Sequence, residues 1–191
     1  SIVNNNISKT QYGIYSHGAS IGVKNTGTVI NQNLINTAAP DNVQFNAVWV
    51  GFDDGTTISG NNISNLTTSN DLAAIAVGIS PVAISTTSST GNEVTNALIS
   101  NNVIGSVIST SATGFSAAGI IVASAASGTT RIQNNVITGV TAPSTSGDLA
   151  AGIYALGGAA ATQIHFNSVS MTGTRGTASY SSYALAIGGT E

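Results

Sequence analysis

Two adjacent aspartates and one histidine are the side chains best suited to bond-breaking chemistry. Asp53 and Asp54 form the only adjacent carboxylate pair, and His17 lies in the run Ser16-His17-Gly18-Ala19-Ser20-Ile21-Gly22. Hydrolysis of a glycosidic bond needs an acid and a base or nucleophile, held about 5–9.5 Å apart across the bond. Asp53, Asp54 and His17 are therefore the candidate catalytic set. The same carboxylates are candidate ligands for Ca²⁺, which takes oxygen donors. A lyase would instead use a basic residue to abstract a proton, and Lys9, Lys24, Arg131 and Arg175 are scattered along the chain. The competing reading of Phe52-Asp53-Asp54-Gly55 is a polar β-turn with Asp as its turn former. Asn70-Asp71 and Asp148 read as caps of loop corners, and His165, alternating with Ile164, reads as a surface residue. Trp49, Tyr154, Tyr180 and Tyr183 are candidates for stacking on sugar rings, with Trp49 set in an apolar run that reads as core or groove lining.

The elements that must position these residues are set by a repeat. One hexad, I-x-x-N-x-[IV], occurs six times, beginning at Ile2, Ile30, Ile58, Ile99, Ile132 and Ile164. Its asparagines are Asn5, Asn33, Asn61, Asn102, Asn135 and Asn167, spaced 28, 28, 41, 33 and 32 residues apart. A second, apolar motif is centred on a small residue: Gly51, Gly78, Gly119, Gly152 and Ala184 follow their asparagines by 18, 17, 17, 17 and 17 residues. In the first repeat Gly13 follows Asn5 by only 8. That near-constancy puts the variation in repeat length at one corner, between the second motif and the next hexad. Both motifs are short, β-branched and bounded by Gly, Asn, Ser and Thr, which reads as strand.

Repetition at this period is the signature of a solenoid. The expected fold is all-β: a right-handed parallel β-helix of about six coils, stacked about 4.8 Å apart, forming a single domain over residues 1–191. The six asparagines would stack as an amide ladder and the six isoleucines as an aliphatic one. Asn also tolerates the left-handed backbone conformation that a sharp corner needs, which is a second reason to expect it at this position. Neither end carries a polar cap of the kind solenoids use. The chain therefore reads as an excerpt of a longer solenoid or as a unit covered by neighbours.

Composition narrows the function. Charged residues are 6% of the chain, with four basic and seven acidic side chains, while 41% is hydrophobic. Four basic residues cannot neutralise a phosphate track, so nucleic acid is not an expected partner. The longest apolar stretches are too short and too rich in Gly, Ser and Ala to span a bilayer. Without cysteine there is no disulfide framework and no thiolate metal site.

The segments Ile63-Ser-Asn-Leu-Thr-Thr-Ser69 with Ala76-Val-Gly-Ile79, and Phe166-Asn-Ser-Val-Ser-Met-Thr-Gly-Thr174 with Ser181-Ser-Tyr-Ala-Leu185, carry a family resemblance. They resemble the long, repetitive, Asn/Ser/Thr/Gly-rich β-helix proteins at the surface of Bacteroidota and related bacteria. The resemblance implies an extracellular or cell-surface location and a non-enzymatic, adhesin-like structural role. Implied partners are polysaccharide or neighbouring copies stacked end to end. The His17 run also resembles the G-H-G-x-S-I-G signature of polygalacturonase-type glycosidases, whose fold is of this class. That resemblance implies the alternative, a carbohydrate-active β-helix using Asp53, Asp54 and His17. Here the aspartate pair follows the histidine rather than preceding it, and the family's third acidic residue and its Arg-x-Lys are missing.

Overall fold

A computed structural model describes residues 1–79, 93–123, 127–143, 145, 149–156, 161–172 and 182–188. All regular structure among them is β, and every pairing between strands is parallel. The first sheet orders Ile2–Val3, Val29–Asn31, Thr57–Ser59, Leu98–Ser100, Thr129–Gln133 and Ala161–His165. A second orders Leu34–Ile35, Asn62–Thr68, Val103–Ser109, Val136–Thr141 and Ser168–Ser170. The third orders Tyr12–His17, Asn46–Gly51, Leu72–Val77, Ala117–Ala123, Ala150–Leu156 and Ser182–Gly188. Strands adjacent in space come from successive repeats in sequence, so no hairpin is needed and parallel pairing follows.

Register brings like residues over like. Ile2 pairs with Ile30, Ile30 with Ile58, Ile58 with Ile99, Ile99 with Ile132 and Ile132 with Ile164. Ile35, Ile63, Ile104, Ile137 and Val169 form a second column from the hexads' last position. The middle members of both columns are fully buried in one continuous apolar core, with Ile2, Ile7, Ile164 and Val169 half-buried against it. Each buried Ile contributes about 1.5–3 kcal/mol, so the columns supply much of the stability.

The hexad corner differs from expectation in one respect. The left-handed residue is the one before each ladder asparagine: Asn4, Gln32, Gly60, Asn101, Asn134 and Phe166, with φ of 60, 55, 64, 56, 55 and 55°. The ladder asparagine is not left-handed. Its side chain must point inward to reach its neighbours, and the chain reverses one residue earlier. A non-Gly residue in this conformation costs about 1–2 kcal/mol, and Gln32 is exposed. Gln32→Gly should therefore raise stability by about 0.5–1 kcal/mol after the extra flexibility of the unfolded chain is subtracted. Gly60→Ala should lower it by a similar amount, and chemical denaturation of both variants checks the pair.

The third sheet corrects the alignment of the second motif. Val48 pairs with Ile75 and Ile75 with Ile120, which puts Gly119 in line with Ala74 and Ala47 rather than with Gly78 and Gly51. The true row is Gly13, Ala47, Ala74, Gly119, Gly152 and Ala184. Length variation consequently falls on both sides of this sheet. The segment from ladder asparagine to row residue runs from 8 to 17 residues, shorter in the first three repeats, and the return segment from 14 to 28.

Candidate functional site

Asp53 and Asp54 do not form a turn. They make a short strand, Asp53–Asp54, parallel to Asn25–Thr26, with Asn25 opposite Asp53 and Thr26 opposite Asp54. Alternation along a strand sends consecutive side chains to opposite faces. Asp53 is fully buried and Asp54 exposed. The two carboxylates therefore do not flank a common sugar.

Asp53 accepts a short hydrogen bond from the Thr28 hydroxyl, while its Oδ1 is buried with no hydrogen-bond partner. A buried carboxylate short of donors is destabilising. Asp53→Asn keeps the shape and an acceptor for Thr28 while removing any charge. It should raise stability by about 1–2 kcal/mol, read as a higher unfolding midpoint. A lower midpoint would show that the negative charge is needed.

Asp54 faces a different set of groups. Its Oδ1 accepts from Thr95 Oγ1 at 2.7 Å and from Asn96 Nδ2 at 2.8 Å, and Lys24 Nζ donates to Thr95 Oγ1 at 3.4 Å. The Thr95 hydroxyl first, then the Asn96 amide, hold the Asp54 carboxyl below its ordinary value against the opposing effect of desolvation, with the Lys24 charge adding the smallest contribution. Stability from this depression is present above the unfolded aspartate value, about 3.9, and is lost as pH falls through the lower folded value. Asp54→Ala should thus be less stable than the parent at neutral pH, and the gap should close in strong acid. Paired thermal melts at the two pH values measure it, and a gap of the same size in acid would contradict it.

His17 ends the strand Tyr12–His17, pairs with Gly51, and packs against aromatic rings. Its ring is stacked on Trp49 at 5.1 Å and meets Phe52 edge-on at 4.8 Å. Trp49 also stacks on Tyr15, centroids 4.4 Å apart, and its Nε1 donates to the Ile79 carbonyl at 2.7 Å. Trp49 is buried, and Tyr15, 58% exposed, is the ring that meets solvent. Sequence reasoning missed this cluster, because Tyr15 and Trp49 become neighbours only once their strands are paired. Trp49 and Tyr154 lie in one row of the third sheet with Ala76 and Ile121 between them, and both are buried, so they do not form a stacking platform together. Burial raises the Tyr154 hydroxyl above its ordinary value, and Tyr183 adds to the effect.

The other candidate residues are placed as follows. Asp71 Oδ1 accepts from the Ser116 amide at 2.7 Å, tying one repeat to the next. His165 is exposed on the first sheet. Asp148, Arg175 and Tyr180 lie outside the described residues. Among the described residues, no three His, Asp or Glu side chains gather where one cation would touch them all. None of the described residues forms a helix long and apolar enough to cross a membrane.

The densest polar array among the described residues is internal. Asn5 Nδ2 donates to Asn33 Oδ1 at 2.9 Å, Asn33 to Asn61 at 3.0 Å and Asn61 to Asn102 at 2.9 Å. Asn102 then donates to Asn135 at 3.0 Å, and Asn135 to Asn167 at 2.9 Å. Each acceptor Oδ1 also takes the backbone N–H of the donor asparagine, at 2.9–3.0 Å. The second Nδ2 hydrogen goes back one repeat: Asn33 to Ile2 O, Asn61 to Ile30 O, Asn102 to Ile58 O, Asn135 to Ile99 O and Asn167 to Ile132 O. Asn33, Asn61, Asn102 and Asn135 are buried and fully bonded at the side chain.

Comparisons with protein-family models, with curated proteins and with solved structures find no match to this chain.

Proposed function

We propose that the chain is a right-handed parallel β-helix of about six coils, and that it serves as a non-enzymatic, adhesin-like segment of an extracellular surface or matrix protein. Its work is rigid extension and the display of a low-charge surface. The observation that carries this reading is the amide chain from Asn5 to Asn167. Polar side chains in the interior are used to bind repeat to repeat, while the acidic residues named as catalytic candidates sit on opposite faces of a strand. A hydrogen-bonded network of this kind is rigidifying when every member is satisfied. The location and the adhesin-like role rest on the resemblance to surface β-helix proteins.

One observation favours a second reading, contact with polysaccharide. The exposed Tyr15 ring, backed by Trp49, offers an aromatic face of the kind that pyranose rings pack against. A single experiment separates binding from turnover. The chain is incubated with acidic and neutral polysaccharides, and new reducing ends, unsaturated products and tryptophan fluorescence are followed. The structural reading expects no product, and no change in the His17→Ala, Asp53→Asn, Asp54→Asn triple variant. Product formation that the triple variant loses would overturn it. A fluorescence change abolished by Tyr15→Ala, without product, would establish binding alone.

A further inference from the structure

We infer that the outer face of the second sheet binds a neutral, extended β-linked polysaccharide lying across its strands. This surface is separate from the Tyr15 ring, and it rests on the register of the second sheet alone.

The hexad creates the face through its own packing. In I-x-x-N-x-[IV] the asparagine and the final residue point inward, so the residue between them must point out. In successive strands that residue is Leu34, Asn62, Val103 and Val136, opposite one another in register. Leu34, Val103 and Val136 are 37, 52 and 43% exposed, while Ile35, Ile104 and Ile137 beside them are buried. Two residues further on, Ser64, Gly105 and Thr138 form a second outward row in the same register. Left-handed residues bound the strip on both sides: Gln32, Gly60, Asn101 and Asn134 before it, and Asn65, Ser106 and Gly139 after it. The two rows are about 6.6 Å apart and neighbouring strands about 4.8 Å. The strip is as narrow as a single polymer chain.

Its chemistry specifies the ligand. The Asn62 amide and the Ser64 hydroxyl are bonded to no other described residue, so both are open to a partner. A Cβ on Gly105 would lie 3.2 Å from Thr138 Oγ1 and 3.9 Å from Ser64 Cβ, so the glycine leaves a notch between two hydroxyl-bearing side chains. Neither row contains a charged residue. A polyuronate laid here would lose hydration of its carboxylates and find no cation in exchange, which is costly. A neutral pyranose matches the pattern: its C–H face covers valine or leucine, and its hydroxyls reach the amide and the hydroxyls of the second row. An extended β-linked chain advances by roughly one strand spacing per sugar, so successive sugars meet successive strands. A second copy of the chain fits less well, because a stable protein interface buries about 1,200–2,000 Å², more than a strip two residues wide supplies.

Depletion of the full chain from solution by microcrystalline cellulose and by chitin, with polygalacturonate beads as the acidic comparison, tests the proposal. The expected result is retention on a neutral polymer, unchanged by added salt, and none on polygalacturonate. Val103→Asp and Val136→Asp should each weaken retention by about tenfold or more, since a desolvated charge then faces the sugar. Ser64→Ala is the milder variant and should weaken it by about two- to tenfold, the worth of one hydrogen bond. All three side chains point outward, so urea midpoints close to that of the parent should accompany the losses. Retention on neither neutral polymer, or equal retention on polygalacturonate, overturns the proposal. Retention lost in Tyr15→Ala but kept in Val103→Asp assigns the contact to the aromatic stack and overturns it as well. A parent chain that sediments as a dimer, and as a monomer once Val103→Asp is introduced, makes the strip a contact between copies and overturns it too. Product release is measured separately, so each of these failures leaves the non-enzymatic reading standing.

Discussion

Replacing Asn102 by Leu is expected to destabilise the chain by about 3–6 kcal/mol, since each buried polar group left unpaired costs about 1–3 kcal/mol. The side chain is fully buried and makes four bonds: Oδ1 accepts from Asn61 N at 3.0 Å and Asn61 Nδ2 at 2.9 Å, and Nδ2 donates to Ile58 O and Asn135 Oδ1, both at 3.0 Å. Leucine has similar bulk and more apolar surface, so transfer from water favours it. What it cannot do is satisfy the Asn61 backbone N–H, an Asn61 amide hydrogen and the Ile58 carbonyl. All three sit where water does not reach. A loss of this size is a large part of the roughly 5–15 kcal/mol that stabilises a typical domain.

The control is the same change at the end of the chain of amides. Asn5 is exposed, and Asn33 Oδ1 keeps the backbone N–H of residue 5 as a donor after substitution. Asn5→Leu should therefore cost no more than about 1 kcal/mol, the net worth of one ordinary hydrogen bond. Urea unfolding of the two variants, with the denaturant slope unchanged, gives the comparison directly. Equal losses would mean that burial contributes nothing to the ladder, and the network argument would fail.

How much of this was legible in the sequence follows from which positions tolerate only one residue type. The ladder asparagine must both donate twice and accept twice within the core. No other side chain of that length does this, so the position shows as Asn in every repeat. The corner residue beside it needs only a left-handed backbone. Asn4, Gln32, Gly60, Asn101, Asn134 and Phe166 all serve, so the position shows no pattern, and the conformation was credited to its neighbour. The third sheet fails for a different reason. Its row admits either Gly or Ala, and Gly51 and Gly78 lie four residues beyond the true members Ala47 and Ala74. Sliding the motif by four keeps a small residue among apolar ones, so spacing alone could not reject the slip. For the candidate site, the residues could be named but not oriented. Reading Asp-Asp-Gly as a turn concealed the strand alternation that separates Asp53 from Asp54. The Tyr15–Trp49–His17 cluster depended on a pairing that spans two repeats.

Gly119→Ala is the second change with a large expected effect, and it tests that corrected row. Gly119 is buried within Ala117–Ala123, and a Cβ built on it would lie 2.6 Å from the Gly152 carbonyl oxygen and 2.6 Å from Ile137 Cγ2. Neither neighbour can yield easily. The Gly152 carbonyl belongs to a strand held in register on both sides, by Ala118 opposite Ala151 and Ile120 opposite Ile153. Ile137 is fully buried in the core column between Ile104 and Val169. One methyl group must therefore separate two strands or displace a core side chain, and over-packing of this kind typically costs about 1–3 kcal/mol. The upper end is expected here, because one of the two obstacles is backbone. Had Gly119 stood in line with Gly78 instead, its neighbours across the sheet would differ and this clash would not be predicted. Gly22→Ala supplies the comparison, since a Cβ there meets nothing closer than Ser20 Oγ at 4.0 Å. Thermal and urea midpoints should fall well below the parent for Gly119→Ala and stay close to it for Gly22→Ala. If the two variants behave alike, the third sheet does not pack in this register. The row would then have to be redrawn.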